Sequence, residues 1–193
     1  VTVEETTEPP TNSGETTPAV DDKEQTIDLT KIIDNKEGRQ ARYVRVLMTE
    51  KALPAYGYSL YEFQVLGLNG VTQRPVDYGK NIAEGKNVTA SSLRDVWWMY
   101  DDNGVIDQST VLAKNAVDGN MNSYWTSGEK DKQWLCVDLG RNYEIGRVII
   151  NWASDAGKIY DIQTSTDGNN WTTVKDLTNQ DGGEDTITFN AVN

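Results

Sequence analysis

No part of this chain sustains a helical period. From residue 24 onward its apolar residues fall into short alternating runs, each closed by glycine, asparagine or aspartate. Tyr43, Arg45 and Leu47 alternate with Val44, Val46 and Met48, and residues 60–66 form a further run. Leu135, Val137 and Leu139 share one face of residues 134–139. Tyr160 and Ile162 alternate with Asp161 and Gln163, and Ile187 and Phe189 with Thr186 and Thr188. Residues 147–152 are almost continuously apolar, as expected of a strand covered on both faces. Turn signals stand between the runs, at Asp118-Gly119, Gly140, Asp167-Gly168 and Asp181-Gly182-Gly183. Many short strands with such turns predict an all-β sandwich or jelly roll.

Composition narrows the chemistry. With 193 residues the chain suits one domain plus a tail, or one domain plus a fragment of another. Its 30 acidic against 18 basic residues give a formal charge of −12. That argues against nucleic acid and against anionic membranes as partners, since both require basic patches. No apolar run reaches the roughly 20 residues that span a bilayer as a helix. The chain has no histidine, which removes Ser–His and Cys–His nucleophiles and His-ligated zinc. Its one cysteine, Cys136, reads as a buried thiol behaving as a small hydrophobe.

Residues 1–23 are rich in Thr, Glu and Pro and cannot bury enough apolar area to offset chain entropy, so they read as a solvated linker. Residues 24–193 are expected to form a single β-sandwich, with Pro75 and Gly79 in a connector over residues 70–80.

Four ordered motifs carry a resemblance. NAVDGNMNSYW at 115–125, QWLCVDLG at 133–140, STDGNNW at 165–171 and DTITF at 185–189 follow one another as in discoidin domains, the coagulation factor V/VIII type C superfamily. The pattern is most similar to family 32 carbohydrate-binding modules. In that family the last motif runs into a strand like ARYVRV, which here stands at 41–46, ahead of the body. The resemblance therefore implies a discoidin-like jelly-roll sandwich that is circularly permuted. Residues 24–69 would supply the closing strands and residues 81–193 the body. The other reading is a chain carrying fragments of two domains, since 26–33 could duplicate the strand at 186–189.

The resemblance also implies a structural calcium ion. It would be held by Asn115, Asp118, Asn120 and Ser123 of the loop, with Glu62 and the Tyr61 carbonyl from the displaced strand. Calcium takes six to eight hard oxygen ligands, the type these residues offer. The plainer reading is an Asp-Gly turn in which Asp118 caps backbone amides. For the ligand, the family uses loops at one end of the sandwich. The most unusual loop here, 93–113, holds Trp97, Trp98, Tyr100 and Asp101. Adjacent tryptophans in an extended segment point opposite ways, so at least one is expected to face the ligand; the alternative is that both plug the sandwich end. Tyr124, Asp155 and Tyr56 are further ligand candidates, each also readable as a solvated loop residue. Trp125, Trp134 and Trp171 read as core.

The function expected is that of a non-catalytic carbohydrate-binding module, monomeric and secreted to the extracellular space. Its partners would be a polysaccharide or oligosaccharide and a covalently attached glycoside hydrolase. Trp-lined loops fit a neutral β-linked chain such as mannan or glucan, and acidic residues leave chitosan open. An adhesion or protein-binding discoidin domain is the alternative. A glycosidase role would need paired carboxylates across a cleft, and Asp101 and Asp102 are sequence neighbours instead.

Overall fold

A computed structural model describes residues 39–68, 78–94 and 111–188. Trp97, Trp98, Tyr100 and Asp101, the linker at 1–23 and the segment at 24–38 lie outside the described residues.

Nine strands are formed among the described residues, and every pairing between them is antiparallel. They are β1 (Arg39–Lys51), β2 (Ser59–Leu68), β3 (Tyr78–Asn81), β4 (Asn87–Ala90), β5 (Trp125–Thr126), β6 (Gln133–Trp152), β7 (Gly157–Ser165), β8 (Thr172–Leu177) and β9 (Glu184–Thr188). A short 3-10 turn spans Ala113–Val117.

The long strand β6 builds the sandwich. Its first half lies between β4 and β1, and β1 continues to β7 and β8. Its second half lies between β2 and β9, with β3 and β5 beyond β2. The two layers share β6 and close on one core. Val44, Val46, Met48, Leu135, Val137 and Ile162 come from the first layer; Leu60, Phe63, Val65, Val148 and Ile150 come from the second. Apolar burial of this kind drives the fold at about 25 cal/mol per Å².

The alternation read in residues 43–48 holds, with Val44, Val46 and Met48 fully buried. The expected turn at Gly140 is not a strand end. Residues 134–139 and 147–152 belong to one strand, interrupted by a bulge. Across it, Ala41 to Tyr43 of β1 faces Tyr143 to Asp138 of β6. The extra β6 residues change which parity points inward, from Leu135, Val137 and Leu139 to Val148, Ile150 and Trp152. Arg42 clamps the bulge with a two-pronged ion pair to Asp138, Nε to Oδ1 and Nη2 to Oδ2 both at 2.8 Å. That partner holds the Asp138 carboxyl below its ordinary range.

Of the three tryptophans expected in the core, Trp125 is there with no exposed surface. Trp134 and Trp171 are only half-buried. Leu135 and Val137 face the core, so strand periodicity turns Trp134 to the outer surface. Cys136 is a free buried thiol, and burial pushes it up to about 11.

β1 and β2 dock within their own chain, and β1 is an interior strand between β6 and β7. The β1–β2 loop then turns tightly against the segment after β5. A Cβ on Gly57 would stand 2.2 Å from the Ser127 carbonyl oxygen. Gly57→Ala is therefore expected to force a backbone shift costing about 1–3 kcal/mol, read as a lowered melting temperature. An unchanged melting temperature would show that this contact can relax.

Candidate functional site

Four segments converge at one end of the sandwich: the β1–β2 loop, the residues after β4, the residues after β5, and the β6–β7 turn. Backbone bonds weld them. Ser59 N–H donates to the Asp155 carbonyl at 2.7 Å, and Asp155 N–H donates to Ser59 Oγ at 3.1 Å. Tyr58 and Ser127 exchange bonds, Tyr58 N–H to Ser127 Oγ and Ser127 N–H to the Tyr58 carbonyl, both at 2.8 Å. Arg94 N–H donates to the Thr126 carbonyl at 2.9 Å.

On this platform Arg94 sits between two of the sequence candidates. Its Nη1 lies 3.9 Å from Asp155 Oδ2, and its guanidinium lies 5.5 Å from the centre of the Tyr56 ring. Asp155 is buried, whereas Tyr56 is 44% exposed and Leu53 beside it 46%. An exposed aromatic next to a guanidinium anchored by a buried carboxylate offers a flat apolar face and charged hydrogen-bonding groups together. Arg94 was not singled out from sequence. The available signal was its place directly before the Trp-rich stretch. Tyr124, the third described candidate, lies elsewhere: its ring stands edge-on to Tyr61 at 6.0 Å.

The second cluster joins β2 to the loop before β5. Glu62 is 2% exposed, and its Oε1 accepts the amides of Gly119 at 2.8 Å and Asn120 at 3.1 Å. Gly119 has φ +75, a left-handed conformation that glycine adopts without strain, and it lets both successive amides reach Glu62. Asp118 Oδ1 accepts the Asn120 amide at 2.9 Å, and its Oδ2 accepts the Ser123 hydroxyl at 2.7 Å. Asn115 donates its side-chain amide to the Tyr124 carbonyl at 3.2 Å. Burial pushes the Glu62 carboxyl up to about 7. The two amides oppose that shift, and the neighbouring Asp118 carboxylate adds to it. Among the described residues no three acidic or thiol groups gather at one point. A cation here would rest on two carboxylates plus neutral oxygens. Carboxylates and neutral oxygens are the donor type that calcium takes.

The layered all-β architecture, with its loop cluster at one end, is that of a discoidin-like sandwich. Residues 115–193 match the F5/F8 type C family model described as NedA-like, galactose-binding domain. That stretch is similar to discoidin-type domains, the family whose model it matches. The chain is 33% identical over 75 residues to the polysaccharide lyase 8 family protein HylA of Enterococcus faecalis, a match covering 39% of this chain and 5% of the relative. It is 29% identical over 121 residues to lactadherin of Bos taurus, covering 59% of this chain and 27% of the relative. The lactadherin of Sus scrofa gives 27% over 121 residues, 59% of this chain and 28% of the relative. The chain thus spans about a twentieth of the lyase and about a quarter of the lactadherins. No solved structure matches the chain with significance.

Proposed function

We propose that this domain is a non-catalytic carbohydrate-binding module whose ligand end is the Tyr56–Arg94–Asp155 corner. The observation that carries the reading is the exposed Tyr56 ring beside Arg94, itself held by the buried Asp155. Sugar rings stack their C–H faces on such a ring while charged groups bond their hydroxyls. The chain runs from Arg94 into Trp97, Trp98, Tyr100 and Asp101, which we retain as further ligand contacts. The galactose-binding description of the matched family and the polysaccharide lyase among the relatives both support a sugar ligand. The glycan we expect is a neutral β-linked chain, mannan or glucan. The module would hold an attached secreted glycoside hydrolase near that chain by raising its effective concentration.

Titration calorimetry with mannan, glucan, chitosan and galactoside oligomers tests this, repeated on Trp97→Ala and Trp98→Ala. Failure of every glycan to bind would overturn the reading. Binding that survives both substitutions unchanged would remove those tryptophans from the site. A protein-binding adhesion role is the second reading, favoured by the lactadherin matches, which cover more of the chain than the lyase match does. A cell-surface protein panel run beside the glycans separates the two.

In the same reading β1 and β2 are the closing strands of the fold, placed ahead of its body. The seat of β1 between β6 and β7 supports this order. Calcium would be held by Asp118 and Glu62 with oxygens of Asn115, Asn120, Ser123 and the Tyr61 carbonyl. When bound it supplies positive charge to two facing carboxylates and ties β2 to the loop. Calcium is expected to raise the melting temperature of the wild type by several degrees. Glu62→Gln keeps an acceptor for the two amides but removes the charge, so that calcium-dependent rise should vanish. An equal rise in wild type and Glu62→Gln would place any calcium elsewhere.

A further inference from the structure

We infer that the outer face of the β4–β6–β1–β7 layer holds a second binding groove, for a carboxylate-bearing sugar, with Arg45 as its anion contact and Trp134 as its stacking wall. The groove has a volume of about 360 Å³ and is lined by Tyr43, Arg45, Thr89, Trp134, Cys136 and Trp171. That volume lies at the small end of the range for small-molecule sites, about 300–1,000 Å³. Strand register assembles it. Thr89 faces Cys136, Cys136 faces Arg45 and Arg45 faces Gln163, one row across four strands. The row is therefore fixed by the ladder and not by a loop.

Arg45 carries the inference. Its guanidinium carbon lies over the Trp171 ring, 3.9 Å from the ring centre, and its Nε donates to the neutral amide oxygen of Gln163 at 2.7 Å. Among the described residues no carboxylate lies within ion-pair distance of it. In a chain with 30 acidic residues, a half-buried arginine held by an amide oxygen and an indole, with no ion-paired carboxylate among the described residues, is an unbalanced cation. Burial lowers its affinity for its proton, as a withdrawn and uncompensated charge requires. The acid lining the groove, Asp167, is engaged by its own hairpin, accepting Ser165 Oγ and the amides of Asn169 and Asn170. Those donors hold its carboxyl far below the ordinary range. The Cys136 thiol, held near 11, is neutral.

The occupant follows from this chemistry. A guanidinium pairs best with a planar oxyanion through two parallel N–H bonds, and a carboxylate matches that fork. The half-exposed Trp134 gives an indole surface for a ring, and exposed Thr89 gives a hydroxyl for its substituents. An added peptide strand would need a free sheet edge. The groove instead lies over β6 and β1, each paired on both sides. A nucleic acid would need several phosphate contacts, and one arginine does not supply them.

The test uses tetramers of galacturonate, mannuronate and hyaluronan, each beside the same tetramer with its carboxyl groups reduced to alcohols. In wild-type protein, at least one acidic tetramer should shift the Arg45 Nε–H NMR signal, and its reduced form should bind at least about ten-fold more weakly. Arg45→Gln and Trp134→Ala should each lower affinity for the acidic tetramer about ten-fold or more. Tyr56→Ala, at the loop end, should leave it unchanged. Circular dichroism and melting curves confirm that each variant is folded, and the wild-type NMR shift decides the matter should either variant fail to fold. The inference is overturned if no acidic tetramer moves the Arg45 signal, if the reduced tetramer binds equally, or if folded Arg45→Gln binds like wild type. It is also overturned if Tyr56→Ala abolishes the binding, which would place the acidic sugar at the loop end.

Discussion

Trp125→Ala is expected to remove about 3–5 kcal/mol of folding free energy, the range for emptying a large aromatic from a packed core. Trp125 has no exposed surface, and its indole N–H donates to the Ser92 carbonyl at 3.2 Å. Its strand β5 pairs with β2, so the side chain ties the Glu62 strand to the segment that leads into Arg94. A domain of this kind has a net stability of about 5–15 kcal/mol, so the loss takes a large fraction of it. Urea unfolding monitored by circular dichroism measures the effect, and Trp125→Phe should recover much of it. A loss under about 1 kcal/mol for the alanine variant would show that the core collapses around the vacancy and does not depend on this ring.

The second large effect concerns binding. Tyr56→Ala is expected to weaken glycan affinity at the loop end about ten-fold or more, the loss typical of an aromatic anchor. Because Tyr56 is 44% exposed, its removal should leave the melting temperature nearly unchanged. Arg94→Met keeps the length of the stem and drops the guanidinium, and it should weaken the same glycan. Calorimetry on the two variants beside wild type reads both effects. Affinity preserved in both would move the ligand away from this corner.

The sandwich was legible because strand periodicity acts locally. Val44, Val46 and Met48 announce their burial through alternation alone, and all three are fully buried. The bulge in β6 was not legible. A glycine between two apolar runs reads as a turn, and only the partner strand β1, far away in sequence, shows that pairing continues past it. Trp134 and Trp171 were expected in the core because large aromatic residues usually contribute there. For Trp134 the ladder overrode that tendency by fixing which parity of β6 faces inward, and Trp171 packs on Arg45 at the outer face instead. At the loop end, Tyr56 and Asp155 stood out as separate loop residues. Arg94 did not, because its meaning lies in bringing residues from two distant loops together. The Arg45 groove was hidden for the same reason. Tyr43, Arg45 and Leu47 read simply as the face opposite the core, and a groove needs the β7–β8 hairpin folded over it.

The interior seat of β1 has a kinetic consequence. Each of its ladders, to β6 and to β7, closes a loop of 85 residues or more, as between Met48 and Gln133 or Val46 and Ile162. Chains dominated by such distant pairings fold slowly, in about milliseconds to seconds. During synthesis the Val44–Val46–Met48 face must wait, unpaired on either edge, until its flanking partners have emerged. Among the described strands β1 is the first to be made, yet it stays open until β6 and β7 have emerged, and for that interval its apolar face is exposed to association with other chains.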